Sequence, residues 1–142
     1  MRVLRWIIVP LVVVHVVLAT FSGYRAIWQI YRLDLRVGDP VLRAGTSVGF
    51  DVASWGRTEA GAVLELIQGP VAETLAVRSL PRNRNASYDP RPQRASASVV
   101  LTPAHLAQFR PGAAVVRATA TGGMQWLRTP PPTIRERRVA IP

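Results

Sequence analysis

The side chains that could carry a reaction are few in this chain, and their spacing gives them little to work with. There are two histidines, eight acids and no cysteine among 142 residues. Composition alone removes a thiol nucleophile, a thiolate metal site and a disulfide framework. His15 sits in an apolar N-terminal run and His105 far downstream; a membrane-spanning leader would keep them from sharing a site. An ionisable residue inside a bilayer is a functional candidate by default, but no second polar residue lies one turn from His15. His105 has no Asp or Glu beside it in sequence to orient it and is expected as a surface or capping residue. The acids are scattered, with no pair at i and i+2 on a predicted strand, and Glu65, between Leu64 and Leu66, is expected to face solvent. No glycine-rich phosphate cradle follows a strand and opens a helix. The expectation is a protein that is not an enzyme, with no metal and no cofactor.

Binding is better represented. Ser54-Trp55-Gly56-Arg57-Thr58 places a tryptophan beside an arginine in a predicted loop, a pairing enriched at protein interfaces; the alternative is that Trp55 folds back over the end of the domain. Arg82, Arg84, Arg91 and Arg94 form the densest basic cluster, in a segment from Pro81 to Ala95 with three prolines and no apolar period. Only Tyr88 interleaves with them, so the cluster lacks the stacking aromatics of a single-stranded nucleic-acid platform. The candidate partner-binding residues are therefore Trp55, Arg57, Arg82, Arg84, Arg91 and Arg94, with another envelope protein, an anionic lipid or an anionic polymer as partner, and no nucleic acid. All 18 basic residues are arginine, and the net charge is +10. With the first 33 residues set aside, fourteen arginines still face eight acids, a surplus that favours anionic partners. The arginine-only usage, with abundant Ala, Val, Pro and Gly, suits a GC-rich, bacterial coding bias.

Those residues need something to hold them in place. Arg2 and Arg5 precede Trp6 to Phe21, a run with no formal charge. With its apolar flanks the run approaches the roughly 20 residues that cross a bilayer core. It exceeds the usual 7–15 residues of a signal-peptide core, and Trp6 at one end with Tyr24, Trp28 and Tyr31 at the other could form aromatic belts. An uncleaved signal-anchor is expected, with the N-terminus inside and the C-terminal domain outside a bacterial cell membrane. A cleaved leader ending near Val17-Leu18-Ala19 is the alternative, leaving a secreted domain. Tyr24 to Leu33 has apolar residues at helical spacing and is expected to prolong the helix as an interfacial segment or stalk.

Past Leu33 the apolar period becomes two. Strands are predicted around Leu33–Val37, Val48–Val52, Ala62–Gln68, Glu73–Leu80 (with Leu75 and Val77 on one face), Ser96–Leu101, Ala113–Thr121 and Thr133–Ile141. Gly122-Gly123 reads as a hairpin turn pairing Ala113–Thr121 with Met124–Arg128, where Trp126 is a core candidate. Thr102-Pro103 reads as an N-cap and first helical position, opening one short turn of helix. Twelve prolines and ten glycines suit such a turn-rich chain.

Leu101 to Gly123 resembles the end of strand E, the E–F crossover and strand F of bacterial immunoglobulin-like and fibronectin-III-like modules. The residues that carry the resemblance are Phe109-Arg-Pro-Gly112 followed by Val115-Val-Arg-Ala-Thr-Ala120. Both cysteines and the tyrosine corner of the antibody type are missing, which removes the disulfide-bridged subclass. The resemblance covers about a quarter of the chain and implies a fold, not an activity. The expected protein is all-β: an immunoglobulin-like sandwich of seven or eight strands over 34–142, after one N-terminal transmembrane helix and stalk over 1–33. Its expected work is non-catalytic binding or assembly at the membrane. A secreted sandwich that binds anionic polymers or envelope surfaces through arginines is the alternative.

Overall fold

Alternation with a period of two becomes seven strands in two antiparallel sheets. A computed structural model describes residues 8–17, 30–54, 59–81, 93–122 and 131–142. Residues 8–17 are helical (α1). The strands are β1 (Ile30–Val37), β2 (Ser47–Ser54), β3 (Ala60–Gln68), β4 (Val71–Leu80), β5 (Gln93–Val100), β6 (Gly112–Gly122) and β7 (Thr133–Ile141), with one helical turn, α2 (Pro103–Leu106), between β5 and β6. One sheet has the order β1-β2-β5 and the other β4-β3-β6-β7.

The sheets meet through one buried cluster. The three-stranded sheet contributes Leu33, Val48, Phe50 and Val52, and the four-stranded sheet contributes Leu64, Leu66, Val116 and a set of alanines at 60, 62, 118 and 120. Small side chains on one layer let the large ones on the other seat without voids. Phe50 is fully buried, worth about 1.5–3 kcal/mol in apolar surface removed from water. Leu42 and Leu101 close the same core from the loops.

The end of the sandwich near Val37 is tied down by backbone bonds. Leu42 N–H donates to Ala140 O at 2.8 Å and Ala140 N–H to Pro40 O at 2.8 Å, a short parallel contact on the β7 edge. Gly45, at φ 95°, supplies the turn before β2, and its N–H donates to Leu101 O at 2.8 Å. Thr102 caps α2 and Pro103 follows it, as the sequence predicts. Gln68 pins the Pro111-Gly112 corner: its Nε2 donates to Arg110 O at 2.9 Å, and Arg110 N–H donates to its Oε1 at 2.9 Å.

Three expectations need correction. The helical reading of Tyr24–Leu33 fails from Ile30 onward, because Ile30 and Arg32 are recruited into β1 opposite Ser54 and Ala53; ladder bonds and burial of Leu33 outweigh a short helical periodicity. β5 begins at Gln93, so Arg94 belongs to a strand and not to the preceding loop. Leu75 and Val77 do not share a face: the register shifts between Leu64 and Glu65, where Thr74 and Ala76 take the facing positions. Leu75 is thus the extra residue of a bulge and packs on the core, while Val77 turns outward. β3 and β7 hold the two sides of β6 from Val115 to Ala120; the strand expected beyond the Gly122-Gly123 turn, Met124–Arg128 with Trp126, lies outside the described residues.

Among the described residues no helix is long and apolar enough to cross a membrane. Both ends of the expected Trp6–Phe21 span lie outside the described residues.

Gly49 is buried in β2, and a β-carbon there would run into the backbone oxygen of Ala97 on β5. Gly49→Ala is therefore expected to destabilise the sandwich by about 1–3 kcal/mol, read as a lowered midpoint in thermal or urea unfolding.

Candidate functional site

β1, β2 and β5 each place alternate residues on the outer face of their sheet. The register stacks these into rows across the three strands: Arg32, Ala53 and Arg94; then Asp34, Asp51 and Ser96; then Arg36, Gly49 and Ser98. Two carboxylates thus stand directly opposite each other, an arrangement that is unfavourable alone. Arginines resolve it. Arg32 Nε pairs with Asp34, and Arg36 Nη2 lies 2.7 Å from Asp51 Oδ2. Each carboxylate is engaged by a guanidinium and both are about half exposed. Ser47 and Ser98 hydroxyls meet at 3.1 Å beside them. A shallow groove at one end of this face is lined by Arg32, Asp51, Ala53, Arg94 and Ser96, two guanidiniums with a carboxylate and a hydroxyl between them.

This ladder escaped sequence reading because Asp34 and Asp51 become neighbours only through the β1–β2 register. The available signal was Arg32-x-Asp34-x-Arg36, which puts three charges on one strand face.

The candidate residues in loops occupy segments whose flanking strands all open at one pole. Ile30, Ser54 and Gln93 are mutual neighbours at one end of the three-stranded sheet. Ala60, Leu80 and Gly122 adjoin at one end of the other, next to the start of β7, where Thr133 pairs with Ala120. Arg78 Nε donates to Ser96 O at 3.3 Å, which brings the two ends together. The connections 55–58, 82–92 and 123–130, and the chain preceding Ile30, therefore all leave from the same pole. Trp55, Arg57, Arg82, Arg84 and Arg91 lie outside the described residues. Arg94 is exposed at the pole, in line with Arg32.

The histidines have structural work. His105 Nδ1 accepts from Thr102 N–H at 3.1 Å while Thr102 Oγ1 accepts from His105 N–H at 3.4 Å, a reciprocal cap on α2. His15 Nδ1 lies 3.2 Å from Leu11 O, within its own helix. Among the described residues no group of three or more His, Asp or Glu side chains could hold a metal ion.

No protein-family model matches the chain, and no curated protein matches it significantly. Two solved structures are similar over part of their length. One is the Pseudomonas fluorescens alkylpurine DNA glycosylase AlkC bound to DNA containing an abasic site analog, at 13% identity and a TM-score of 0.42, covering 80% of this chain and 30% of that one. The other is β-glucosidase 3B from Thermotoga neapolitana in complex with α-D-glucose, at 16% identity and a TM-score of 0.39, covering 77% of this chain and 17% of that one. The chain spans less than a third of either protein, and superpositions this loose carry no argument.

Removing Arg36 leaves Asp51 and Asp34 facing each other with one guanidinium between them. Arg36→Ala is expected to cost no more than about 1 kcal/mol at low salt, with the loss shrinking as the ionic strength approaches 1 M. Denaturant unfolding at two salt concentrations reads both.

Proposed function

We propose that this chain is a membrane-held, immunoglobulin- or fibronectin-III-like sandwich whose work is binding or assembly, not catalysis. The observation that carries the reading is the pole. The segments bearing Trp55, Arg57, Arg82, Arg84 and Arg91 leave the sandwich where the N-terminal chain enters it, beside Arg94. A module attached through that chain would hold those residues close to its attachment point and against whatever lies there.

Two further observations support it. Lettered in chain order, the three-stranded sheet is A-B-E and the C, F and G equivalents adjoin in the other sheet, an arrangement shared with immunoglobulin sandwiches. The fourth strand joins the third instead of completing the A-B-E sheet. The apolar residues of α1 are exposed all round, from Ile8 at 50% to Val17 at 57%, and a helix that is apolar on every side belongs in a core or a bilayer. The partner is another envelope protein or the anionic membrane surface itself.

A secreted form that binds anionic polymers is the second reading. It is favoured by Arg32 and Arg94 flanking one groove on the outer sheet face.

Membrane fractionation of the intact chain tests the first reading: retention after a high-salt wash is expected, and release into the wash overturns the anchor. In a chain that begins at Ile30, so that no apolar leader holds it to the bilayer, changing Arg82, Arg84, Arg91 and Arg94 to Ser is expected to lower sedimentation with vesicles containing acidic lipid at least about tenfold, at roughly 1 kcal/mol for each arginine near the surface. Unchanged sedimentation removes the arginines from the interface.

A further inference from the structure

The outer face of the four-stranded sheet has a composition unlike the rest of the molecule. Its register builds three rows across β4, β3, β6 and β7. Val77, Val63, Thr119 and Ile134 form the first. Thr74, Glu65, Arg117 and Glu136 form the second, and Ala72, Ile67, Val115 and Arg138 the third. Val77 is 57% exposed and Ile134 44%. The charges on these rows balance, two glutamates against two arginines, on a chain whose net charge is +10. Arg117 Nε already holds Glu136 Oε1 at 2.6 Å, leaving Glu65 beside it on β3.

We infer that this face is the contact between two copies of the chain, related by a two-fold axis that runs along the strands between β3 and β6. Such an axis lays β3 on the partner's β6 and β4 on the partner's β7. Glu65 then meets the partner's Arg117, and the same pair recurs on the other side of the axis. Val77 meets the partner's Ile134, and Ile67 meets the partner's Val115. An in-plane axis across the strands would do the opposite: each strand would face its own copy, setting Glu65 against Glu65 and Arg117 against Arg117. The charge pattern therefore selects the first axis, and an isologous contact requires this self-complementarity.

Charge also selects the occupant. Two strongly basic chains repel over most of their surfaces, and this neutral, β-branched face lets them approach. Four strands about 4.8 Å apart and about eight residues long present roughly 500 Å² per copy. Two such faces bury about 1,000 Å², enough for a specific but modest contact.

Paired cysteines test the contact in a chain that has none of its own. Val77 and Ile134 lie three strand spacings apart within one copy, about 14 Å, whereas two facing sheets lie about 10 Å apart, too far for a direct disulfide but within reach of a short bis-maleimide joining side chains that point at each other. Full-length V77C/I134C in detergent micelles, treated with a two-carbon bis-maleimide, is expected to form a covalent dimer, while V77C and I134C alone stay largely monomeric. In sedimentation, Glu65→Arg is expected to weaken the native dimer by about tenfold or more, and adding Arg117→Glu should restore it to within about threefold. A double-cysteine chain that links no faster than the single variants overturns the contact, as does a native chain that sediments as a monomer at every concentration.

Discussion

The register of β3 against its two neighbours is the constraint on which the rest of the molecule depends. It sets Leu64 and Leu66 inward beside Val116 and Ala118, and it sets Glu65 and Arg117 outward. A slip of one residue would exchange those sets, burying a glutamate and an arginine and exposing the leucines. No disulfide ties one layer to the other. The inner face must therefore both hold the layers together and specify their pairing, through Phe50 and its neighbours on one side and a floor of alanines on the other.

That constraint explains how the margins differ from the centre. β3 is alternately buried and half-buried along its length, whereas β4 and β7 carry charges on their inward rows. Arg78 shares a row with Ala62, and Arg135 and Arg137 share rows with Ala118 and Val116. Inward-pointing charges on edge strands keep a sheet from growing into a neighbouring one. Glu73 sits in the row of Leu66 and accepts from Gln108 Nε2 at 2.6 Å, so an edge charge also fastens the segment after α2. The bulge at Leu75 lets β4 put an apolar side chain on the core without carrying Val77 in with it.

How much of this is legible in the sequence varies with the range of the forces involved. Local signals were sufficient for the cap at Thr102-Pro103 and the outward Glu65, because capping chemistry and alternation decide them within a few residues. Ile30 and Arg32 were misread because their conformation is decided by Ser54 and Ala53 across the sheet. Val77 was misplaced because a bulge changes parity without marking the sequence with glycine or proline. The carboxylate pair Asp34 and Asp51, and the neutral face around Glu65 and Arg117, are products of pairing between distant segments. The candidate residues themselves could be chosen by type, but only the strand ends reveal that their segments share one pole.

The pole and the neutral face are mutually consistent in geometry. Strand direction runs from the pole to the far end of the sandwich, so a two-fold axis along the strands brings both copies' poles to the same end. Both N-terminal chains then enter from one side, as two copies attached to a single membrane would require. An axis across the strands would send the two N-terminal chains to opposite ends. The charge rows exclude that axis for an independent reason, the apposition of Glu65 with Glu65 and Arg117 with Arg117. Arginines and neutral face also divide the surface without competing: repulsion between two basic poles is weakest when an anionic surface lies beneath them, and it is there that the apolar rows could bring the copies together.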